Sequence, residues 1–147
     1  EDYNVTGRSG RVAVWKRGLD IIEENIIFGV GIGNFMTAEG AMHVRQGGSG
    51  KWSAAHNSFI QIAAELGILG LIAFCAIIYL SLQGLNRKMT LLLRRGAKVE
   101  DVYITSTLIA SWAAFIVGGM FLSMAYSNCF YFLAGLSLAD GARKEAV

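Results

Sequence analysis

Charged residues are scarce in this chain, and cysteines are few. Only 16% of its 147 residues are charged, and the formal net charge is +2. An ordinary soluble domain carries roughly 25% charged residues, so the composition argues against that class, and so small a net charge argues against a nucleic-acid-binding surface. Cys75 and Cys129 both stand in apolar runs without metal-ligand spacing to a histidine. The sequence therefore predicts neither a disulfide framework nor a metal site.

The sequence contains two long segments without charged residues. No charged residue occurs from Leu66 to Asn86, about 21 positions, or from Val102 to Ala139, about 38 positions. A helix of about 20 residues crosses the roughly 30 Å hydrocarbon layer of a bilayer. The first run thus predicts one transmembrane helix, and the second predicts a hairpin of two helices broken near residues 123–128. The predicted fold class is all-α, an integral membrane helical bundle.

The predicted topology rests on five basic residues that follow the first span. They are Arg87, Lys88, Arg94, Arg95 and Lys98. Short loops dense in Lys and Arg stay cytoplasmic, so the segment before the span is predicted to be extracytoplasmic. The expected order is an extracytoplasmic segment with an amphipathic helix and a glycine-rich loop (1–56), a transmembrane helix (57–85), a basic cytoplasmic loop (86–101), a transmembrane helix (102–123), a short transmembrane helix (126–140) and a cytoplasmic tail (141–147). The chain has neither an initiator methionine nor a signal-like pattern, so we expect a piece of a longer membrane protein.

An apolar stripe near the beginning of the chain predicts an amphipathic helix. Its members recur at steps of three and four residues: Val12, Trp15, Leu19, Ile22 and Ile26. Such a helix should lie on another structure, and two interpretations remain open. It packs against a neighbouring helix, or it lies at the membrane surface.

Three alternating glycines within residues 28–35 break the helical pattern. They follow a helix as G-x-G-x-G, unlike the G-x-G-x-x-G of dinucleotide-binding proteins, so we expect a sharp turn or a close approach of another segment. From about Thr37 to Ser53 the sequence is polar and glycine-rich, which predicts a mobile loop. His43 in this stretch matches no motif and is expected at the surface.

Polar residues gather where the first span begins. Asn57, Gln61 and Glu65 recur every four positions, so a helix places them on one face that must look at protein or water rather than lipid. His56 precedes them, either as a general base suited to neutral pH or, with Asn57, as a helix cap and interfacial anchor. Nine positions separate His56 from Glu65, about 13 Å along a helix axis. We therefore expect Glu65 to find a partner on another helix or to serve in close helix packing.

Three motifs occur in a fixed order along the chain. They are Ser9-Gly10-Arg11 with Trp15, then Gly29–Phe35, and then Ala55-His56-Asn57-Ser58 with Glu65-Leu66-Gly67-Ile68-Leu69-Gly70. In this order the chain resembles the C-terminal portion of the O-antigen ligase and O-antigen polymerase superfamily. It departs from that pattern at Ile26, where many members carry a proline. The departure touches no proposed reacting group.

The resemblance implies a metal-independent membrane glycosyltransferase without a cofactor. Such an enzyme moves a glycan from an undecaprenyl-diphosphate carrier to a hydroxyl of a glycan, lipid A-core or protein acceptor, outside the bacterial inner membrane. Arg11 matches the family's arginine before the tryptophan and would stabilise the leaving diphosphate. His56 would accept the proton of the acceptor hydroxyl.

Six further residues are candidates for substrate binding, and two alternative functions remain open. Candidate substrate-binding residues are Arg8, Arg17, Arg45, Asn57, Gln61 and Glu65. For the three arginines the alternative is a solvated surface role. A transporter of a small anion such as bicarbonate would also suit basic residues beside an intramembrane carboxylate, and a non-catalytic membrane subunit would use these polar groups for packing. The expected partners are the glycan donor, the acceptor, the lipid bilayer and the rest of the full-length protein, without nucleic acid.

Overall fold

The computed structural model describes residues 10–48 and 52–142. This part of the chain consists of five α-helices and the segments that connect them. Its elements are α1 (Arg11–Glu24), α2 (Phe35–Arg45), α3 (Ser58–Arg95), α4 (Val99–Gly119) and α5 (Asn128–Ala142). Two of them, α3 and α4, are long and apolar enough to cross a membrane. The prediction of an all-α membrane protein is confirmed.

Helix α3 is longer than predicted. The sequence analysis ended the first span at residue 85 and placed a basic loop over 86–101, whereas the helix continues to Arg95. Residues 86–95 are mainly Leu, Met, Arg and Lys, all good helix formers, so their charge does not end the helix. Only residues 96–98 connect α3 to α4. Helix α5 has 15 residues, fewer than the roughly 20 that cross a bilayer upright, so the third span stays a prediction.

The described residues form two compact units. The first comprises the chain up to Phe74 together with Gly119–Ala125, and the second comprises Cys75–Gly118 together with the chain from Tyr126. The first unit has a small apolar core drawn from α1, α2, the segment before α3 and the first turns of α3. Its buried members are Val14, Ile21, Phe35, Met42, Ala55 and Ala64.

The packed face of α1 matches the predicted stripe only in part. Its buried residues are Val14, Arg17, Gly18 and Ile21, while Val12 and Leu19 of the predicted stripe are exposed. A Cβ added at Gly18 would lie 2.7 Å from Ile60 Cγ2, so the missing side chain lets α1 approach α3 closely. The helix therefore packs on neighbouring helices, and of the predicted stripe Trp15 and Ile22 take part in this packing.

The expected loop over residues 37–53 is wrong for most of its length, because α2 occupies residues 35–45. Phe35 and Met42 lie seven positions apart on its buried face, a helical spacing hidden by the glycines that follow. His43 is also buried rather than at the surface, and a Cβ added at Gly48 would overlap its imidazole ring. Residues 49–51 lie outside the described part of the chain.

The second unit is held together by an aromatic cluster between α4 and α5. The indole N–H of Trp112, which is fully buried, donates to Ser137 Oγ at 2.9 Å. The Trp112 ring lies edge-to-face with Phe115 and Phe130, at centroid distances of 5.8 and 5.9 Å. Edge-to-face pairs at this distance each add about 0.5–1.5 kcal/mol beyond area burial. The cluster fixes α4 and α5 as an antiparallel pair.

A buried ion pair ties α5 to both other helices of this unit. The Lys88 ammonium group of α3 donates to the Asp140 carboxylate, and Thr105 of α4 donates to the same carboxylate at 3.1 Å. Lys88 and Asp140 are both buried. Asp140 thus satisfies groups from α3 and α4 at one point.

Replacing Asp140 should therefore destabilise the protein strongly. Asp140→Ala leaves the Lys88 ammonium buried without its carboxylate, which costs about 3–5 kcal/mol, and we expect a clear drop in Tm in detergent. The exposed carboxylate of Glu100 supplies the control, since Glu100→Ala should leave Tm nearly unchanged. A Lys88→Met, Asp140→Leu double variant should recover most of the lost stability, because no buried charge remains. Equal Tm values for Asp140→Ala and Glu100→Ala would refute the interpretation.

Candidate active site around His56

His56 adopts a left-handed backbone conformation that residues other than glycine rarely adopt. Its φ of 45° is the one positive value at a non-glycine residue in the described part of the chain. The left-handed region costs roughly 1–2 kcal/mol for such a residue, so surrounding contacts must hold it there. The residue is exposed and lies two positions before α3 begins.

Hydrogen bonds from two distant segments fix the main chain at this point. The indole N–H of Trp15 on α1 donates to the carbonyl oxygen of Ala55 at 2.8 Å. The backbone N–H of His56 donates to Ser123 Oγ at 3.0 Å. The peptide group before His56 is therefore held from both sides, through its N–H and through the preceding carbonyl.

Asn57 caps helix α3. Its side-chain Oδ1 accepts from the backbone N–H groups of Phe59 at 3.0 Å and Ile60 at 3.1 Å, which are otherwise without partners at a helix start. The capping role that the sequence offered to the His56-Asn57 pair thus falls to Asn57. The His56 ring is left outside the cap.

Ser58 fastens the 119–125 segment to the start of α3. Its buried hydroxyl donates to the Leu122 carbonyl oxygen at 2.8 Å and accepts from the Met124 N–H at 2.8 Å. These bonds position Ser123, the residue that holds His56. The sequence analysis marked residues 123–128 only as a break between helices, and no local pattern links Ser123 to a residue 67 positions earlier.

Arg11 precedes Trp15 by one turn of α1. It is the first residue of α1 and is exposed. Trp15 follows one helical turn later on the same face, and its indole reaches the residue before His56. The hydrogen bond of Trp15 thus joins the helix that begins with Arg11 to the segment that carries His56.

The other candidate arginines have different surroundings. Arg17 is 5% exposed and forms an ion pair with Glu39, which is 0% exposed, at 2.6 Å. The second carboxylate oxygen of Glu39 accepts from the Ser53 N–H at 3.0 Å, so this pair joins α1, α2 and the segment before α3. Arg45 forms a solvent-exposed ion pair with Glu24 at 3.1 Å. Arg8 lies outside the described residues.

Glu65 has a partner on another helix, one of the two alternatives that the spacing left open. Its Oε1 accepts from the backbone N–H of Phe35, the first residue of α2, at 3.1 Å. Its Oε2 is buried without a hydrogen-bond partner among the described residues, and so is Oε1 of Gln61, one turn earlier on α3. Buried acceptors without donors are uncommon in native proteins. Two are present here on the stripe that begins at Asn57.

The glycine motif packs directly against the main chain of α3. The N–H groups of Val30 and Gly31 donate to the carbonyl oxygens of Ala64 and Glu65, both at 2.9 Å. Helix α3 is kinked at Gly67, with φ 67° and ψ −166°. A Cβ added at Gly29 would lie 2.5 Å from the Glu65 carbonyl oxygen. The prediction of a close approach at these glycines is confirmed.

The described part of the chain is helical, and two of its helices are long and apolar enough to cross a membrane. The exposed His56 and the cap of Asn57 stand at the start of the longer one. A comparison with family models matches residues 2–75, just over half of the 147-residue chain, to the O-antigen ligase family. The chain belongs to this family, which confirms the resemblance seen in the sequence and places it among membrane glycosyltransferases of the ligase or polymerase type. Comparisons with curated proteins and with solved structures found no match.

Proposed function

We propose that this chain carries the acceptor-activating part of a glycosyltransferase. The enzyme would move a glycan from an undecaprenyl-diphosphate carrier to an acceptor hydroxyl on the extracytoplasmic side of the bacterial inner membrane. The observation that carries the proposal is the exposed His56 at φ 45°. Its peptide group is held by the Trp15 bond to the Ala55 carbonyl oxygen and by its own N–H bond to Ser123 Oγ. Backbone strain of this kind is kept at functional sites when the surrounding structure enforces it. Family membership supports the reaction class.

The reaction assigns a role to each of two exposed side chains. His56 accepts the proton of the acceptor hydroxyl while that oxygen attacks the anomeric carbon of the donor sugar. The bond between that carbon and the diphosphate oxygen breaks, and the diphosphate leaves with additional negative charge. Arg11 stabilises this charge through paired N–H donors in a fixed fork. Its exposure at the start of α1 supports this role.

The polar stripe on α3 is the proposed binding site for the acceptor sugar. Gln61 Oε1 and Glu65 Oε2 are buried acceptors without partners in the described structure, and sugar hydroxyl groups are suitable donors. Asn57 contributes through its amide nitrogen, since its Oδ1 caps α3. Arg17 and Arg45 act in this proposal through their ion pairs with Glu39 and Glu24 rather than through the substrate.

The order of charge along the chain supports the extracytoplasmic side. His56 precedes the uncharged part of α3, while Arg87, Lys88, Arg94 and Arg95 follow it on the same helix. Basic residues beside the end of a span favour the cytoplasmic side. The residues before α3 then lie on the opposite side of the membrane.

A transfer assay with the purified full-length protein, an undecaprenyl-diphosphate-linked glycan and candidate acceptors tests the function. We expect transfer that continues in the presence of a chelator. Arg11→Gln should lower the rate by about 10²–10³-fold, the usual effect of removing a group that stabilises developing charge. Arg45→Gln is the matched control, because Arg45 pairs with Glu24 at the surface, and it should retain most of the activity.

Two results would contradict the proposal. A folded protein that turns over no carrier with any acceptor would exclude glycan transfer. Transfer that stops when the chelator is added would exclude the metal-independent mechanism.

A further inference from the structure

The segment between α1 and α2 exposes large apolar side chains. Residues 26–32, named here the anchor loop, include Ile26, Ile27, Phe28 and Ile32, which are 56, 56, 77 and 67% exposed. No charged residue occurs from Asn25 to Ala38. Contiguous apolar surface of this kind marks an interaction site with protein or membrane. The proposed transfer reaction uses none of these side chains.

The anchor loop lies where the uncharged part of α3 begins. Its first residue, Ile26, accepts a hydrogen bond from the Ile68 N–H at 2.8 Å. A Cβ added at Gly67 would lie 2.7 Å from the backbone nitrogen of Phe28. The uncharged run of α3 starts at Leu66. The loop is therefore fixed beside the first residues of a helix long and apolar enough to span a membrane.

The apolar surface of the loop continues onto α3. Ile68, Leu69 and Ile72 are large apolar residues exposed on the part of α3 that enters the proposed span. Because Ile26 and Ile68 are joined by a backbone hydrogen bond, the exposed surfaces of loop and helix adjoin each other. The exposed apolar surface of α3 thus extends to the loop.

Part of the loop backbone has hydrogen-bond partners inside the protein. The N–H groups of Gly29, Val30 and Gly31 in the loop, and that of Asn34 just after it, donate to backbone carbonyl oxygens within the protein. Non-helical backbone is costly beside hydrocarbon unless its polar groups are satisfied in this way. These bonds reduce that cost for the anchor loop.

From these observations we propose that the anchor loop inserts its apolar side chains into the bilayer surface at the amino-terminal end of α3. Interfacial segments bury such side chains about 5–10 Å into the headgroup and acyl boundary. Lipid suits this surface better than another transmembrane helix, because helix contacts in membranes favour small residues and the exposed residues here are Ile and Phe. The exposed Glu23 and Glu24 at the end of α1 would then stay in the aqueous headgroup layer.

Spin-label accessibility in the full-length protein tests this placement. Cysteines other than the probe are replaced by serine, and Phe28→Cys is labelled with a nitroxide and reconstituted in phosphatidylethanolamine and phosphatidylglycerol vesicles. We expect collisions with oxygen to exceed collisions with a water-soluble nickel chelate. Leu80→Cys, at an exposed position of α3, is the membrane control, and Glu23→Cys is the aqueous control with the opposite preference.

Ile32→Cys provides a second probe in case the first substitution disturbs the loop. Dominant collisions with the nickel chelate at both positions would show that the loop lies in water and would overturn the proposal. Low accessibility to both reagents would show that another protein segment covers the loop, which also overturns it. The result does not depend on glycan transfer, so this inference and the proposed function can fail separately.

Discussion

Glycan transfer by the His56→Asn variant is expected to be about 10²–10⁴-fold slower than by the wild-type protein, the usual contribution of a general base. Asparagine tolerates the left-handed backbone region, so this change removes the imidazole while it keeps the conformation at φ 45°. The ring is exposed, and its loss should leave folding and membrane insertion unaffected. Initial rates at equal amounts of folded protein measure the effect.

Two further variants separate chemistry from structure at this position. His56→Gly should regain part of its activity when free imidazole is added, because a small base can enter the space left by the ring. Ser123→Ala removes the bond to the His56 N–H and should lower the rate less than His56→Asn does, because the base remains but is less well positioned. Near wild-type transfer by both His56 variants would eliminate the general-base role.

The largest expected loss of stability follows from Gly67→Ala. A Cβ there would overlap the Ile27 carbonyl oxygen and lie 2.7 Å from the Phe28 nitrogen, and the residue has a φ of +67°. The neighbouring backbone cannot shift easily, because Ile68 donates to Ile26. Steric overlap and left-handed strain together should exceed about 4 kcal/mol, which is exceptional for one substitution. We expect little folded protein by size-exclusion chromatography in detergent.

Gly84→Ala is the matched control in the same helix. A Cβ added at this position meets no atom within 4 Å, and alanine is favoured over glycine inside a helix by about 1 kcal/mol. The variant should fold with an unchanged or slightly higher Tm. If Gly67→Ala and Gly84→Ala have the same Tm and yield, the tight contact between the anchor loop and α3 is not present in the protein.

Some of the fold could be predicted from the sequence because its cause is local. The run from Leu66 to Asn86 predicts a membrane helix by length and composition alone, and the cap at Asn57 follows from the residue type at a helix start. The buried face of α1 could not be predicted this way. Apolar residues occur on two stripes of that helix, and the choice depends on Gly18, which contacts Ile60 from another helix.

The candidate site also combines features that the local sequence predicts with features that depend on tertiary packing. His56 and Arg11 lie within short motifs and could be named from the sequence. Arg17 is buried against Glu39, 22 positions away, whereas Arg45 is exposed. This difference depends on the packing of α1 on α2. Ser123 is 67 positions from His56. Spacing gives no information about contacts at this separation.

The contact between the glycine motif and α3 has a consequence for how sequences of this kind can change. Gly29 lies against the main chain of Glu65, and Gly67 lies against that of Ile27, so both glycines serve one backbone contact. A substitution at either position breaks the whole contact, and a second substitution then has little left to break. Substitutions in contact are commonly non-additive in this way. The two glycines thus form one epistatic unit, in which the loss of the first removes the constraint on the second.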